Sequence, residues 1–246
     1  MTKKFIVVAH PRSGSTFLVE RIVATVNAHA PHVDHQELFN SYERLFNACA
    51  LGLDGSDEIA TVDGFFASSQ SSIALFKTIP SFHFQWNEIA SRTDIHFITV
   101  QRHDILSTVA SILICEHHNE WKRPAREHAA DARYLFRDWF KSRRQQEMLL
   151  GSIFNRLLFD LRALEVLNGT AGTLVVDSDH FSNASHDLAA TFGQPISFNG
   201  YKRLSHFSEC FVDADIFRET VLGYLSNIVR KHSSIPRVVE QLLSDS

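Results

Sequence analysis

The chain has 246 residues and no abrupt change in composition, so it can bury a full core and predicts a single domain over residues 1–246. Its formal net charge of -4 at pH 7 argues against a general nucleic-acid-binding protein, so an anionic ligand needs a local group of Arg and Lys side chains. Three cysteines without a CxxC pair predict reduced thiols and a cytoplasmic location. We expect neither a signal peptide nor a membrane span, because the apolar run near the N-terminus is too short for either.

The first predicted strand leads into a turn that is rich in hydroxyl residues. Residues 5–9 (FIVVA) are apolar and predict a buried parallel strand, and residues 11–16 (PRSGST) predict a tight turn. Apolar side chains at 17, 18, 22 and 23 then predict a helix. Because a helix N-terminus directs backbone N–H groups and the positive end of its dipole to one point, the turn predicts an anion site.

The anion predicted for this turn is not a nucleoside triphosphate. The segment lacks the GxxxxGK[ST] pattern, since Arg12 stands near its start and no lysine precedes Ser15 and Thr16. An arginine beside clustered N–H groups suits a sulfate or phosphosulfate group. The alternative is that PRSGST is an ordinary loop entering a helix.

The remaining elements alternate between strand and helix. Apolar runs predict further strands at 73–76, 96–100 and 173–176, each followed by helical sequence. This order predicts an α/β fold, a P-loop-like three-layer sandwich with a central, mainly parallel sheet of about four to five strands. Helices are predicted at 41–51, 57–69, 82–91, 105–117, 130–167 in two parts with a break near Gly151, 185–192 and most of 213–243, and 119–130 is predicted to be a loop.

A second cationic position follows the strand at 96–100. Arg102 comes directly after that strand, and Ser111 lies on the next predicted helix. Because ligands of parallel sheets bind beyond the carboxyl ends of the strands, two anion sites at one edge indicate a ligand with two phosphate-like groups. The alternatives are a surface arginine paired with Asp104 and a helix hydroxyl that bonds back to a carbonyl.

Together these segments resemble a known family. PRSGST after the first strand, with Arg102-His103-Asp104 and Ser111 after a later one, resembles the phosphate-binding elements of sulfotransferases that use 3′-phosphoadenosine 5′-phosphosulfate (PAPS). The likeness is greatest to bacterial carbohydrate sulfotransferases of the trehalose and nodulation-factor type, with a second likeness to tyrosylprotein sulfotransferases. It covers roughly residues 5–112 and fades afterwards.

The resemblance implies roles for individual residues. Arg12 is expected to be the cation on the sulfuryl side, and Arg102 and Ser111 to hold the 3′-phosphate. Since an arginine does not give up its proton, Arg12 is expected to stabilise charge. Lys202 and Arg203 stand where many members place a basic loop over the nucleotide. The donors expected for the 5′-phosphate are Ser13, Gly14, Ser15 and Thr16.

The general base is assigned by the same resemblance. The cytosolic branch carries its catalytic histidine in a Lys-Thr-His-x-Pro segment, but residues 77–80 of this chain read KTIP. Carbohydrate and tyrosyl branches use a glutamate soon after the first helix, which implies Glu37 as the base; the alternative is a solvated loop carboxylate. His35 and His83 are the reserve candidates. Lys77 is expected to contact the sulfate or the bridging oxygen, the alternative being a strand-end surface lysine.

The expected activity is transfer of a sulfuryl group from PAPS to a hydroxyl, or as a second choice an amine, of a carbohydrate or other small-molecule acceptor. No metal is expected, because sulfuryl transfer needs mainly alignment and fixed positive charge. The cluster Glu116-His117-His118 could suggest a metal site, but adjacent histidines on a helix point about 100° apart. Two rivals stay open: a P-loop-type nucleoside or small-molecule kinase, and a non-catalytic nucleotide-binding protein.

Overall fold

The computed structural model describes residues 2–31, 38–39, 57–118, 134–199, 206–231 and 235–245. The chain divides into two compact units. We call Met1–Gln101 with Ala163–Tyr201 the sheet unit, and Arg102–Arg162 with Lys202–Ser246 the helical unit. The expectation of a single domain stays a prediction.

Four parallel strands form the sheet, and they confirm the four predicted from apolar runs. The strand order is β2-β1-β3-β4, so β1 and β3 are central, and Val8 of β1 pairs with Thr78 of β2 on one side and with Thr99 of β3 on the other. Their bounds are β1 Lys3–Ala9, β2 Ile73–Thr78, β3 His96–Gln101 and β4 Leu174–Asp177.

Helices follow the strands and confirm an α/β sandwich with a parallel sheet. Short 3₁₀ turns lie at Pro80–Phe82, Phe136–Trp139 and Ser178–Ala184. The helices of the described residues are α1 Ser15–Val26, α2 Glu58–Ser68, α3 Trp86–Ala90, α4 Ile105–His118, α5 Arg143–Asn168, α6 Ser185–Phe192, α7 Phe207–Cys210, α8 Ala214–Val229 and α9 Arg237–Ser244.

Strands β1, β2 and β3 are buried on both faces over most of their length, which explains why each contains a continuous apolar run instead of alternating residues. On one face, Phe5 and Val7 of β1 pack in a core with Leu18 and Ile22 of α1. On the other face, Phe76 of β2 meets the aromatic side chains of α2. The sheet is therefore the middle layer of three.

The predicted helix break near Gly151 is wrong. Helix α5 runs through this residue without interruption. A Cβ atom at Gly151 would lie 2.8 Å from the hydroxyl of Tyr224, which donates a hydrogen bond of 2.9 Å to the carbonyl of Glu147. The glycine therefore permits a close side-chain approach and does not end the helix.

Other predictions have mixed outcomes. The helix expected at 82–91 is confined to α3, because the segment after β2 first makes the 3₁₀ turn. The helix predicted at 41–51 and the loop predicted at 119–130 lie outside the described residues. Within the described ranges, no helix is both long enough and apolar enough to cross a membrane.

Candidate anion-binding site

The turn between β1 and α1 has an unusual backbone conformation. Arg12 has a φ of 62° and Gly14 a φ of 79°, so both occupy the left-handed region. This region suits glycine but is uncommon for arginine, and such outliers concentrate at functional sites. Left-handed residues in a tight turn can direct successive N–H groups toward one concave side. This conformation is compatible with an anion site at the turn, which stays a prediction.

Helix α1 begins without a side-chain cap. Its N-cap residue is Gly14, which has no side chain that could accept a capping hydrogen bond. The hydroxyl of Ser13 is fully buried and has no hydrogen-bond partner within the described part of the chain. A buried hydroxyl normally has a partner, and an uncapped N-terminus favours negative charge. Both features fit an external anion.

Lys77 reaches this turn from β2. Its Nζ donates a hydrogen bond of 2.7 Å to Oγ1 of Thr16, and the residue is only 5% exposed. The alternative of a strand-end surface lysine is therefore wrong. A buried ammonium is costly unless polar or negative groups surround it, so Lys77 adds positive charge where the turn already favours an anion.

Glu58, at the start of α2, is a fully buried carboxylate beside the loop that follows β2. It accepts hydrogen bonds from the backbone N–H groups of Phe84 (3.0 Å) and Gln85 (2.8 Å), and Oε2 lies 3.5 Å from Nδ1 of His83. Burial raises the pKa of Glu58, but the contact with His83 and the two N–H groups outweigh it and lower the pKa to about 2. Glu58 is therefore ionised at neutral pH.

His83 connects Glu58 to β2. Its Nε2 lies 2.5 Å from Oγ1 of Thr78, and its side chain is 0% exposed. Because both ring nitrogens face protein groups in a buried network, this position does not support the reserve assignment of His83 as general base. Neither Glu58 nor Thr78 is among the residues predicted from the sequence. The only sequence signal for Glu58 is its place after Asp57, a residue type that often caps helices. In the structure the Asp57 carboxylate does cap α2, accepting a hydrogen bond from the N–H of Ala60.

In the helical unit, Arg102 is the first residue after β3. It is only 3% exposed, so the predicted alternative of a surface arginine is wrong, although Asp104 is nearby with Oδ2 at 3.9 Å from Nη2. The carboxylate of Asp104 also accepts a 3.0 Å hydrogen bond from the N–H of Ser107. Helix α4 therefore has a side-chain cap of its own.

Three hydroxyl residues of α4, namely Ser107, Thr108 and Ser111, are buried. Ser107 Oγ accepts a hydrogen bond of 2.9 Å from the N–H of Phe207, and Thr108 Oγ1 donates one of 3.0 Å to the carbonyl of Asp104. The third is Ser111, the residue expected at the 3′-phosphate, which is 6% exposed.

Several predicted site residues lie outside the described ranges. They are the base candidates Glu37 and His35 and the basic pair Lys202 and Arg203, so their roles stay predictions.

The two adjacent histidines have aromatic partners. His117 stacks on Trp139, with ring centroids 4.6 Å apart, and Nε2 of His118 lies 2.6 Å from the hydroxyl of Tyr134. Burial and the neighbouring His118 lower the pKa of His117. The described residues contain no group of three or more His, Cys, Asp or Glu side chains that could hold a metal ion.

Comparison of the chain with protein-family models gives no match, and no curated protein matches it significantly. The features that bear on function are therefore the geometry of the turn, the buried side chains of Lys77 and Arg102, and the sequence resemblance.

Proposed function

We propose that the protein is a PAPS-dependent sulfotransferase that acts on a hydroxyl of a carbohydrate or other small-molecule acceptor, with an amine as second choice. The observation that carries the proposal is the contact of the buried Lys77 ammonium with Thr16, at 2.7 Å, in the first turn of α1, a helix whose N-cap residue is Gly14. A buried cation and a hydroxyl group thus lie beside the N-terminus of α1, where backbone N–H groups favour an anion. This combination suits a phosphosulfate better than an uncharged ligand.

The reaction is an in-line displacement at sulfur. The acceptor oxygen forms a bond to sulfur while the bond between sulfur and the bridging oxygen of the 5′-phosphate breaks, and 3′-phosphoadenosine 5′-phosphate leaves. Glu37 takes the acceptor proton. Negative charge grows on the bridging and sulfuryl oxygens, where Arg12 and Lys77 stabilise it. The proposal requires no metal ion.

The 3′-phosphate of the donor is assigned to Arg102 and Ser111. Arg102 is only 3% exposed, and a buried guanidinium favours an anionic partner. Lys202 and Arg203 complete the assignment as the basic segment over the nucleotide.

Calorimetric titration tests the donor. We expect 3′-phosphoadenosine 5′-phosphate to bind with a Kd in the range of about 1–100 μM, equally well with EDTA and with magnesium. Binding of ATP that depends on magnesium would instead support the kinase rival. Absence of binding by either nucleotide would overturn both enzyme proposals.

Turnover tests the acceptor. Labelled donor is incubated with panels of glycans, phenols, lipids and peptides, and label transfer is followed with the wild-type protein and with Glu37→Gln. Loss of a general base typically lowers the rate about 10²–10⁴-fold. Unchanged turnover by Glu37→Gln would remove Glu37 from the mechanism and leave the donor assignment in place.

A further inference from the structure

Consecutive residues at the end of β2 serve opposite faces of the sheet. Side chains alternate along a strand, so Lys77 and Thr78 point in opposite directions. Lys77 contacts Thr16 of α1, and Thr78 contacts His83, which in turn faces Glu58 of α2. The lysine on one face is thus adjacent in the chain to an anchored threonine on the other.

The anchor is buried throughout. Glu58 and Thr78 are both 0% exposed, and the His83 side chain is also 0% exposed. Glu58 holds the backbone just beyond His83 through the N–H groups of Phe84 and Gln85. The Thr78 hydroxyl therefore contacts the His83 ring, and the loop that carries this ring is held by the Glu58 carboxylate.

The location of β2 explains why such an anchor matters. β2 is an edge strand of the sheet, and on its outer side His29 bridges it at Ala74. That bridge lies near the start of β2, before Lys77, whereas Thr78 is the last residue of the strand. At the carboxyl end, the Thr78 side chain connects the strand through His83 to Glu58 of α2.

We propose that Thr78 is a positioning residue for Lys77: its hydroxyl, held by His83 and Glu58, fixes the end of β2 so that the Lys77 ammonium stays at the Thr16 turn. That Lys77 then serves a phosphosulfate rests on the proposed function. The placement of Lys77 itself does not.

Matched threonine variants test the proposal. Thr78 and Thr99 flank Val8 in the same row of the sheet, and both are buried with a side-chain hydrogen bond, that of Thr99 being a 2.6 Å bond to Asn168. We expect Thr78→Val to weaken binding of 3′-phosphoadenosine 5′-phosphate about tenfold, while Thr99→Val stays within about twofold. Thr78→Ser, which keeps the hydroxyl, should restore binding. Equal losses for the two valine variants would overturn the proposal.

A double-mutant cycle separates positioning from general weakening. In a Lys77→Met background the ammonium is gone, so Thr78→Val should cause no further loss of nucleotide affinity. If the two losses add in full, Thr78 does not act through Lys77 and the proposal is wrong.

A readout without nucleotide keeps the two proposals distinguishable. In protein made with isotope-labelled lysine, the Lys77 ammonium signal is assigned by its absence from Lys77→Met. We expect that signal to shift in Thr78→Val and to stay in place in Thr99→Val. If wild-type protein binds no nucleotide, the sulfotransferase proposal fails, and this signal still decides the role of Thr78. An unmoved signal in Thr78→Val overturns that role.

Discussion

Helices α1 and α4 each follow a central parallel strand, but they begin in different ways. At α1 the cap position is Gly14, which has a left-handed backbone and no side chain to accept a capping hydrogen bond. At α4 the carboxylate of Asp104 accepts from the N–H of Ser107 and lies 3.9 Å from Arg102. The N-cap residue of α1 therefore carries no negative charge, whereas the start of α4 carries the Asp104 carboxylate.

This difference changes the simple picture of two equal anion sites. In the site proposed at α1, the phosphate or sulfate contacts the backbone itself, aided by the helix dipole and Lys77. At α4 the Asp104 carboxylate offsets the dipole, so an anion there has to be held by the Arg102 guanidinium. The first site should depend on turn geometry, and the second on one side chain and its charge balance.

The largest expected effect is on stability and concerns the buried Glu58 carboxylate, which faces His83, the partner of Thr78 at the end of β2. Folding lowers the pKa of Glu58 from 4.5 to about 2, which corresponds to roughly 3 kcal/mol of stability near neutral pH. We expect Glu58→Gln to lower the free energy of unfolding by about that amount. Urea denaturation at about pH 7 measures it.

The contribution of Glu58 to the free energy of unfolding should also depend on pH in a defined direction. Because the pKa is depressed in the folded state, the stabilisation by Glu58 is complete above 4.5 and is lost as the pH falls toward 2. The difference between wild type and Glu58→Gln should therefore narrow between about pH 5 and pH 3. A difference that stays constant over this range would contradict an ionised Glu58.

The next effect concerns the open start of α1. Arg12→Ala removes a charge beside the turn, and we expect binding of 3′-phosphoadenosine 5′-phosphate to weaken about thirtyfold, as for a lost charge-assisted hydrogen bond. Arg21→Ala is the control: Arg21 lies on the same helix, with its guanidinium 4.9 Å from the centre of the Phe17 ring. Similar losses in the two variants would mean that Arg12 acts only through overall charge.

Arg102→Ala tests the second site. We expect about tenfold weaker binding of the 3′-phosphorylated nucleotide and less than about twofold change for its 3′-dephospho analogue. Arg143→Ala is the matched control in the helical unit, since Arg143 forms an exposed ion pair with Glu147. Equal losses for both nucleotides would place Arg102 away from the 3′-phosphate.

The same two helix starts show what sequence reasoning can reach. The strand-turn-helix order at residues 5–26 follows from an apolar run, turn residues and helical periodicity, all of which are local signals. The approach of Lys77 to Thr16 agrees with the general rule that parallel strands end at one edge. That Lys77 is buried depends on packing around β2, which no local pattern encodes.

Errors and omissions came from contacts between distant residues. Gly151 looks like a helix breaker until Tyr224 is placed against it. Glu58 looks like a solvated first-turn acid, yet two N–H groups from the loop after β2 make its burial tolerable. In both cases the deciding partner lies far away in the chain, so periodicity and propensity carry no information about it.

The smallest expected effect concerns the Asp104 carboxylate at the start of α4. Asp104→Asn keeps an oxygen that can accept from the N–H of Ser107 but removes the charge beside Arg102, so stability should change by only a few tenths of a kcal/mol. We expect binding of the 3′-phosphorylated nucleotide to tighten about twofold to threefold, because the ligand no longer competes with a carboxylate. The control is Asp57→Asn at the cap of α2, where the same change should leave affinity unaltered. Weaker binding in Asp104→Asn would instead mean that the carboxylate orients Arg102 for the phosphate. The starts of α1 and α4 would then differ in how they position the anion and not in the charge that they carry.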